Sequence, residues 1–145
     1  MHPAQQVEDR TYSLDEQVGF LLRLASQRHA LIFQQHIIGD LTPTQFSTLM
    51  RLAERGRVTQ NHLGRLAAMD TATTKGVVDR LKAKNLIRSE PDKTDKRRSV
   101  ISLTTEGAAL IAKLQGVGHA ISDETLSPLS DRENETLLTL LKKLS

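Results

Sequence analysis

Residues 71–103 read TATTKGVVDRLKAKNLIRSEPDKTDKRRSVISL, and two structural periods meet inside this stretch. Over 71–84, Val77, Val78 and Leu81 recur at helical spacing, leaving Thr73, Thr74, Lys75 and Lys82 for an outward face. Asn85 suits the left-handed position that closes a helix, because its short polar side chain tolerates positive φ. The period then shortens to two. Residues 86–91 and 99–103 read as strands joined by the charged tip Asp92-Lys93-Thr94-Asp95-Lys96-Arg97-Arg98.

Upstream, Leu41-Thr42-Pro43-Thr44-Gln45-Phe46 supplies a hydrophobic staple, an N-cap, proline at the first helical position and a capping-box glutamine. That helix should end near Gly56. Arg57-Val58 can form a short strand, and Thr59 can cap a short helix carrying Leu63, Leu66 and Ala67. Ala68-Met69-Asp70 then connects tightly to the helix at Thr71. Helix, short helix, tight turn, helix and basic-tipped hairpin is the order of a winged helix-turn-helix, so the fold expected is mainly α with a small β-hairpin wing.

Outside this unit, Ser13-Leu14-Asp15-Glu16 reads as a capping box opening a helix over 13–38 that stops at Gly39. Leu14, Val18, Leu21, Leu22, Ala25, Ile32 and Phe33 give it an apolar stripe longer than a compact core of this size needs, which a second chain can cover. Thr104 can cap another long helix bearing Leu110, Ile111, Leu114, Val117 and Ile121, although Gly116 and Gly118 each weaken its middle by ~1 kcal/mol relative to Ala. Pro128 interrupts it. Ser130-Asp131-Arg132-Glu133, another capping box, starts a last helix with Leu137, Leu138, Leu141 and Leu144.

Composition narrows the function. With 145 residues, 38% apolar and 26% charged, the chain suits one globular domain with or without appended helices. No stretch is long and apolar enough for a membrane span, and residues 1–10 have no apolar signal core, so a cytoplasmic protein is expected. The absence of cysteine removes thiol catalysis, disulfides and thiolate metal sites. His2, His29, His36, His62 and His119 include no pair three or four apart, and neither a phosphate loop nor a recognisable nucleophile is present. No enzymatic activity, metal or cofactor is therefore expected. Aromatic content of 3% leaves base stacking a minor role.

Net charge is only +3, yet residues 75–98 hold nine cations against four anions, the footprint of a polyanion-binding element. Thr71, Thr73, Thr74 and Lys75 are the small polar and cationic groups that the start of a reading helix needs. Arg80, Lys82 and Lys84 supply phosphate-attracting charge farther along. Gly76, costly in a helix by ~1 kcal/mol, fits a place where another backbone or a ligand approaches closely. At the hairpin tip, Arg97, with Arg98 beside it, can enter a minor groove while Asp95 holds the Arg97 guanidinium through a bidentate pair.

Over essentially its whole length the chain resembles the MarR family of dimeric transcription regulators. The likeness rests on Gln17-Val18-Gly19-Phe20-Leu21-Leu22, Leu41 to Phe46, Met69 to Leu81 and, most specifically, Asp95-Lys96-Arg97-Arg98-Ser99-Val100-Ile101-Ser102-Leu103-Thr104-Thr105-Glu106-Gly107. Asn85 stands where many members have glycine, and Lys93 where many have proline. Asp70 to Leu81 looks most like members repressing the catabolism of aromatic or nicotinate-type acids. The resemblance implies a helical dimerisation domain from residues 13–38 and 104–145, a winged DNA-binding domain over 41–103, and a homodimer on an imperfect palindromic operator in double-stranded DNA. It also implies a small aromatic acid effector at the domain junction, near Phe20, His29, Phe33, Phe46 and Met50. His29 interrupts an apolar stripe, as either a polar anchor or a structural residue. The alternative is a winged-helix factor that binds DNA constitutively, or binds protein, with no small effector.

Overall fold

The computed structural model describes residues 11–145. A 3-10 turn at Leu14–Glu16 precedes α1 (Val18–His36), α2 (Pro43–Arg55), β1 (Arg57–Thr59), α3 (Gln60–Leu66), α4 (Thr71–Ala83), β2 (Ile87–Pro91), β3 (Ser99–Leu103), α5 (Thr105–Leu126) and α6 (Asp131–Leu144). Local chemistry accounts for most of these starts. Thr42 and Gln45 close both halves of a capping box at 3.2 Å, and Ser130 and Glu133 do so at 2.9 and 3.2 Å. Thr59 accepts from the His62 amide and Thr104 from the Gly107 amide.

The start of α1 differs from the sequence reading. The Ser13 side chain makes no cap hydrogen bond, and Gln17 is extended (φ −93, ψ 137), so the helix begins at Val18. The turn instead closes on itself: the Gln17 amide donates to the Leu14 carbonyl, and the Gln17 side chain to the Ser13 carbonyl. At its other end α1 stops at His36. Gly39 and Asp40 both take positive φ (76 and 53) in the link to α2.

The sheet order is β1-β3-β2, all antiparallel, with Val58 opposite Ile101 and with Arg57 and Arg88 flanking Ser102. Leu49 and Leu52 of α2, Leu63 of α3, Val78 and Leu81 of α4, Ile101 of β3 and Leu114 of α5 form a core essentially closed to solvent. Thr74, expected on the outer face of α4, belongs to this packing. It follows the i, i+3, i+4, i+7 face with Val77, Val78 and Leu81, and is 3% exposed. Its hydroxyl donates to the Asp70 carbonyl at 2.7 Å and lies against Gly64, where a Cβ would stand 2.5 Å from Thr74 Oγ1. Glycine there lets α3 and α4 cross closely.

A smaller cluster joins α1 to α5 through Ile32, Phe33 and Ile121, with Phe46 of α2 packed edge-on to Phe33 at 5.9 Å. Along this seam Arg28 donates to the Glu124 and Thr125 carbonyls, and His36 meets Glu124 at 2.7 Å. Carbonyls at the end of α5 thus find a cationic partner. Elsewhere α1 is bare in the single chain: Val18, Leu21, Leu22, Leu24 and Leu31 are exposed, as are Leu14 of the 3-10 turn and Leu138, Leu140 and Leu144 of α6. No helix among the described residues is long and apolar enough to cross a membrane.

Candidate nucleic-acid interface and ligand pocket

Asp70 caps α4 by accepting from the Thr73 amide at 2.7 Å. The Thr73 backbone and side-chain hydrogen bonds hold the Asp70 carboxyl below its usual range. This fixes the first turn with Thr71, Ala72 and Thr73 exposed. One turn on, Lys75 pairs with Asp79 at 3.0 Å, and the Arg80 guanidinium lies against Gly76, where a Cβ would meet it at 3.0 Å. Gly76 thus receives a side chain of its own helix. Lys82 is exposed. Lys84, expected to face phosphates, turns inward instead and donates to the Asp40 carbonyl and to Gln45 Oε1.

At the wing tip, Asp95 accepts from Arg97 Nε at 3.0 Å, Arg97 Nη2 at 3.2 Å and the Arg97 amide at 3.1 Å. The Arg97 side chain remains 90% exposed, so the fork orients the guanidinium without covering it. These bonds, the side-chain one first, keep the Asp95 carboxyl below the usual carboxylate range. Arg98 pairs with Asp92 at 3.4 Å and more loosely with Asp95, while Asp92 also accepts from the Thr94 amide and hydroxyl. Arg97, Arg98 and Ser99 face Thr59, Gln60 and Asn61 across a polar cleft of ≈ 130 Å³. Gln60, Asn61 and Arg65 also line a groove with Met69, Asp70 and Thr71. These three α3 residues were not singled out from the sequence; the position of Gln60 and Asn61 just after the Thr59 cap is the signal that could have marked those two, whereas Arg65 lies in the last turn of α3.

Between α1, α2 and α5, His29, Phe33, Pro43, Phe46, Ser47, Gly118, Ile121 and Ser122 line a half-open cavity of ≈ 170 Å³. Gly118 makes room for the Phe46 ring, whose Cζ would be 3.1 Å from a Cβ there. His29 Nδ1 and Thr125 Oγ1 share a hydrogen bond of 2.8 Å. Of the five residues expected at this junction, His29, Phe33 and Phe46 come together. Phe20 does not: nine residues place it about 180° around α1 from His29, and it lines neither this cavity nor the larger apolar groove beside it. Met50 lies in a separate groove with Arg51, Glu54 and Leu66, behind the wall made by Phe46 and Ser47. The larger groove, ≈ 410 Å³, runs between α1, α5 and α6 and shares His29 with the first. No cluster among the described residues is suited to a metal ion.

Comparison with known proteins gives this geometry a lineage. The MarR family model matches residues 39–98, the segment from the α1–α2 link to the wing. The HTH-type transcriptional repressor NicR of Pseudomonas putida is 40% identical over 139 residues, covering 95% of this chain and 88% of NicR. A probable transcriptional regulator from Pseudomonas aeruginosa superposes with a TM-score of 0.90 at 47% identity, over 92% of this chain and all of that one. Bordetella bronchiseptica BpsR, whose DNA binding is regulated by 6-hydroxynicotinic acid, superposes with a TM-score of 0.89 at 37% identity, over 93% of this chain and 97% of BpsR. In fold, in full-length sequence likeness and in the matched reading segment, the chain belongs to the MarR family of winged helix-turn-helix transcription regulators.

Proposed function

We propose that this protein is a cytoplasmic, homodimeric, non-enzymatic repressor that reads an imperfect palindrome and is released by a small aromatic or heteroaromatic carboxylate. The observation that carries the DNA reading is the Asp95 fork on an otherwise bare Arg97 at the wing tip. A guanidinium so held reaches a minor groove with little further ordering. Thr71, Thr73 and Lys75 serve as the reading residues of α4, Arg80 and Lys82 as its cations, and Arg98 as a second wing contact. The exposed apolar faces of α1 and α6 support dimerisation, since a second copy removes them from water.

The effector reading rests on the cavity between α1, α2 and α5 and on the likeness to NicR and BpsR. At ≈ 170 Å³ it suits a single ring. Phe33 and Phe46 supply apolar walls, and His29, Ser47 and Ser122 supply polar groups for a carboxylate or ring substituent. For release, the ligand must prefer the arrangement that does not fit DNA; a hundredfold preference supplies ~2.7 kcal/mol per site.

Selection of duplexes from a random pool, followed by release with 6-hydroxynicotinic acid and related single-ring acids, tests both parts. A palindromic consensus bound by a dimer and released by one such acid is the expected result. A consensus that no acid releases would leave a constitutive DNA-binding factor, and the absence of any consensus would refute sequence reading altogether. Replacing His29 by Ala should preserve operator binding while raising the ligand concentration needed for release. Unchanged ligand sensitivity would make His29 structural.

A further inference from the structure

Lys84 follows the last residue of the recognition helix, and its half-buried ammonium is engaged by the protein's own oxygens. It donates to the Asp40 carbonyl in the link between α1 and α2, and at 3.3 Å to Gln45 Oε1. Gln45 is 4% exposed, and the same oxygen accepts from the Thr42 amide in the α2 capping box. One cation therefore joins the exit of α1, the start of α2 and the end of α4. Both acceptors are neutral, so the charge is not cancelled there, and charge-assisted bonds of this kind are stronger than bonds between neutral groups.

The next two residues tie the same helix end to α5. Asn85 takes φ 60, and its carbonyl accepts from the Thr104 hydroxyl at 2.7 Å. The Leu86 carbonyl accepts from the Thr104 amide at 3.1 Å, and Gly107 crosses it so closely that a Cβ would lie 2.0 Å away. Within three residues the end of α4 is fastened to the α1–α2 link, the start of α2 and the start of α5. At its reading end Thr71 to Thr73 are exposed, and α4 is packed there on α3 through Thr74 and Gly64, so a tilt carries both helices of the reading head together.

We infer that this joint sets the angle of α4 relative to α1 and α5, and that Lys84 is a positioning residue fixing the separation of the two reading heads. The inference rests on the dimeric DNA-reading function proposed above. The lever arm makes it measurable. At ~1.5 Å per residue, α4 spans about 20 Å, so a tilt of about 10° at its fastened end moves the reading end by about 3 Å, close to one base-pair step.

The test is duplex selection with the parent, Lys84→Met and Lys84→Arg, scoring half-site sequence and half-site spacing separately. Lys84→Met keeps the aliphatic stem and loses the donor. It should retain the parent half-site while accepting spacings at least one base pair shorter or longer. Lys84→Arg, which can still donate to both oxygens, should restore the narrow spacing profile. Lys84→Gln, a shorter neutral donor, should also broaden the profile and serves if the methionine variant does not fold. An unchanged spacing profile in a folded variant lacking the ammonium would overturn the inference, whatever its melting temperature. So would a fall of about one in the salt-dependence slope, which marks a phosphate contact. A parent that selects no common duplex would overturn the DNA-reading function and this inference with it.

Discussion

The contact between Gly64 and Thr74 separates packing from DNA reading, and the two residues can be changed independently. Gly64→Ala should favour helix in α3 by up to ~1 kcal/mol. The added methyl, however, would stand 2.5 Å from Thr74 Oγ1 and 3.4 Å from the Met69 carbonyl. Thr74 is 3% exposed and its hydroxyl is engaged with the Asp70 carbonyl, so it cannot simply swing away. Overpacking of this kind costs about 1–3 kcal/mol, so the net change in the parent is a loss of about 0–3 kcal/mol. In a Thr74→Ala background the obstructing oxygen is gone, and the same Gly64→Ala change should become stabilising by up to about 1 kcal/mol. Urea unfolding of the four proteins at one protomer concentration measures this change of sign. The Asp70 carbonyl keeps the Thr74 amide as a partner when the hydroxyl is removed, so Thr74→Ala should fold and should select the parent operator sequence. Gly64→Ala stabilising the parent would refute the packing argument. An altered base preference in Thr74→Ala would show that Thr74 reads DNA after all.

Other expectations follow from single contacts. Arg97→Ala should leave unfolding unchanged while weakening operator binding about tenfold or more per half-site at matched salt; equal affinity in a binding titration would remove the minor-groove role. Lys82→Gln should lower affinity evenly across sequences and flatten the salt-dependence slope by about one, and an unaltered slope places Lys82 outside the interface. Gly118→Ala should favour α5 by up to ~1 kcal/mol yet press on the Phe46 ring, so calorimetry should show weaker binding of the releasing acid; unchanged binding would place the ligand elsewhere. Asp95 has a lowered pKa in the folded protein, so its stabilising contribution is complete above the unfolded value of about 4 and disappears as pH falls through the lower folded value. An NMR titration should therefore show the Arg97 Nε resonance constant from pH 8 to about pH 5; loss of the pair within that range contradicts the assignment.

Residues close in sequence were the legible ones. The caps at Thr42, Thr59, Thr104 and Ser130, the left-handed Asn85 and the two wing strands each depend on neighbours within a few positions, so the chain alone determined them. The Asp95–Arg97 pair was legible for the same reason, being two residues apart. Ser13 shows the limit of such reading: its motif matches a capping box, but the extended Gln17 leaves the 3-10 turn outside the helix. The sequence also identified the chemistry available to the reading helix, a set of threonines and cations, without separating their roles.

Tertiary structure made that separation. Thr73 and Thr74 are adjacent and chemically alike, yet only Thr74 meets α3 at Gly64. Lys82 and Lys84 are both cations near the end of α4, but a carbonyl 44 residues away engages one of them. Phe20 and Phe33 lie on the same helix, and only the second faces α2 and α5. Such choices depend on which distant backbone arrives at each side chain. The sequence therefore determined where most helices and strands begin, α1 excepted, and which chemical groups they carry, because backbone propensity and capping act over a turn or less; the packed fold alone decided which of those groups face a partner, because that depends on residues brought together from far along the chain.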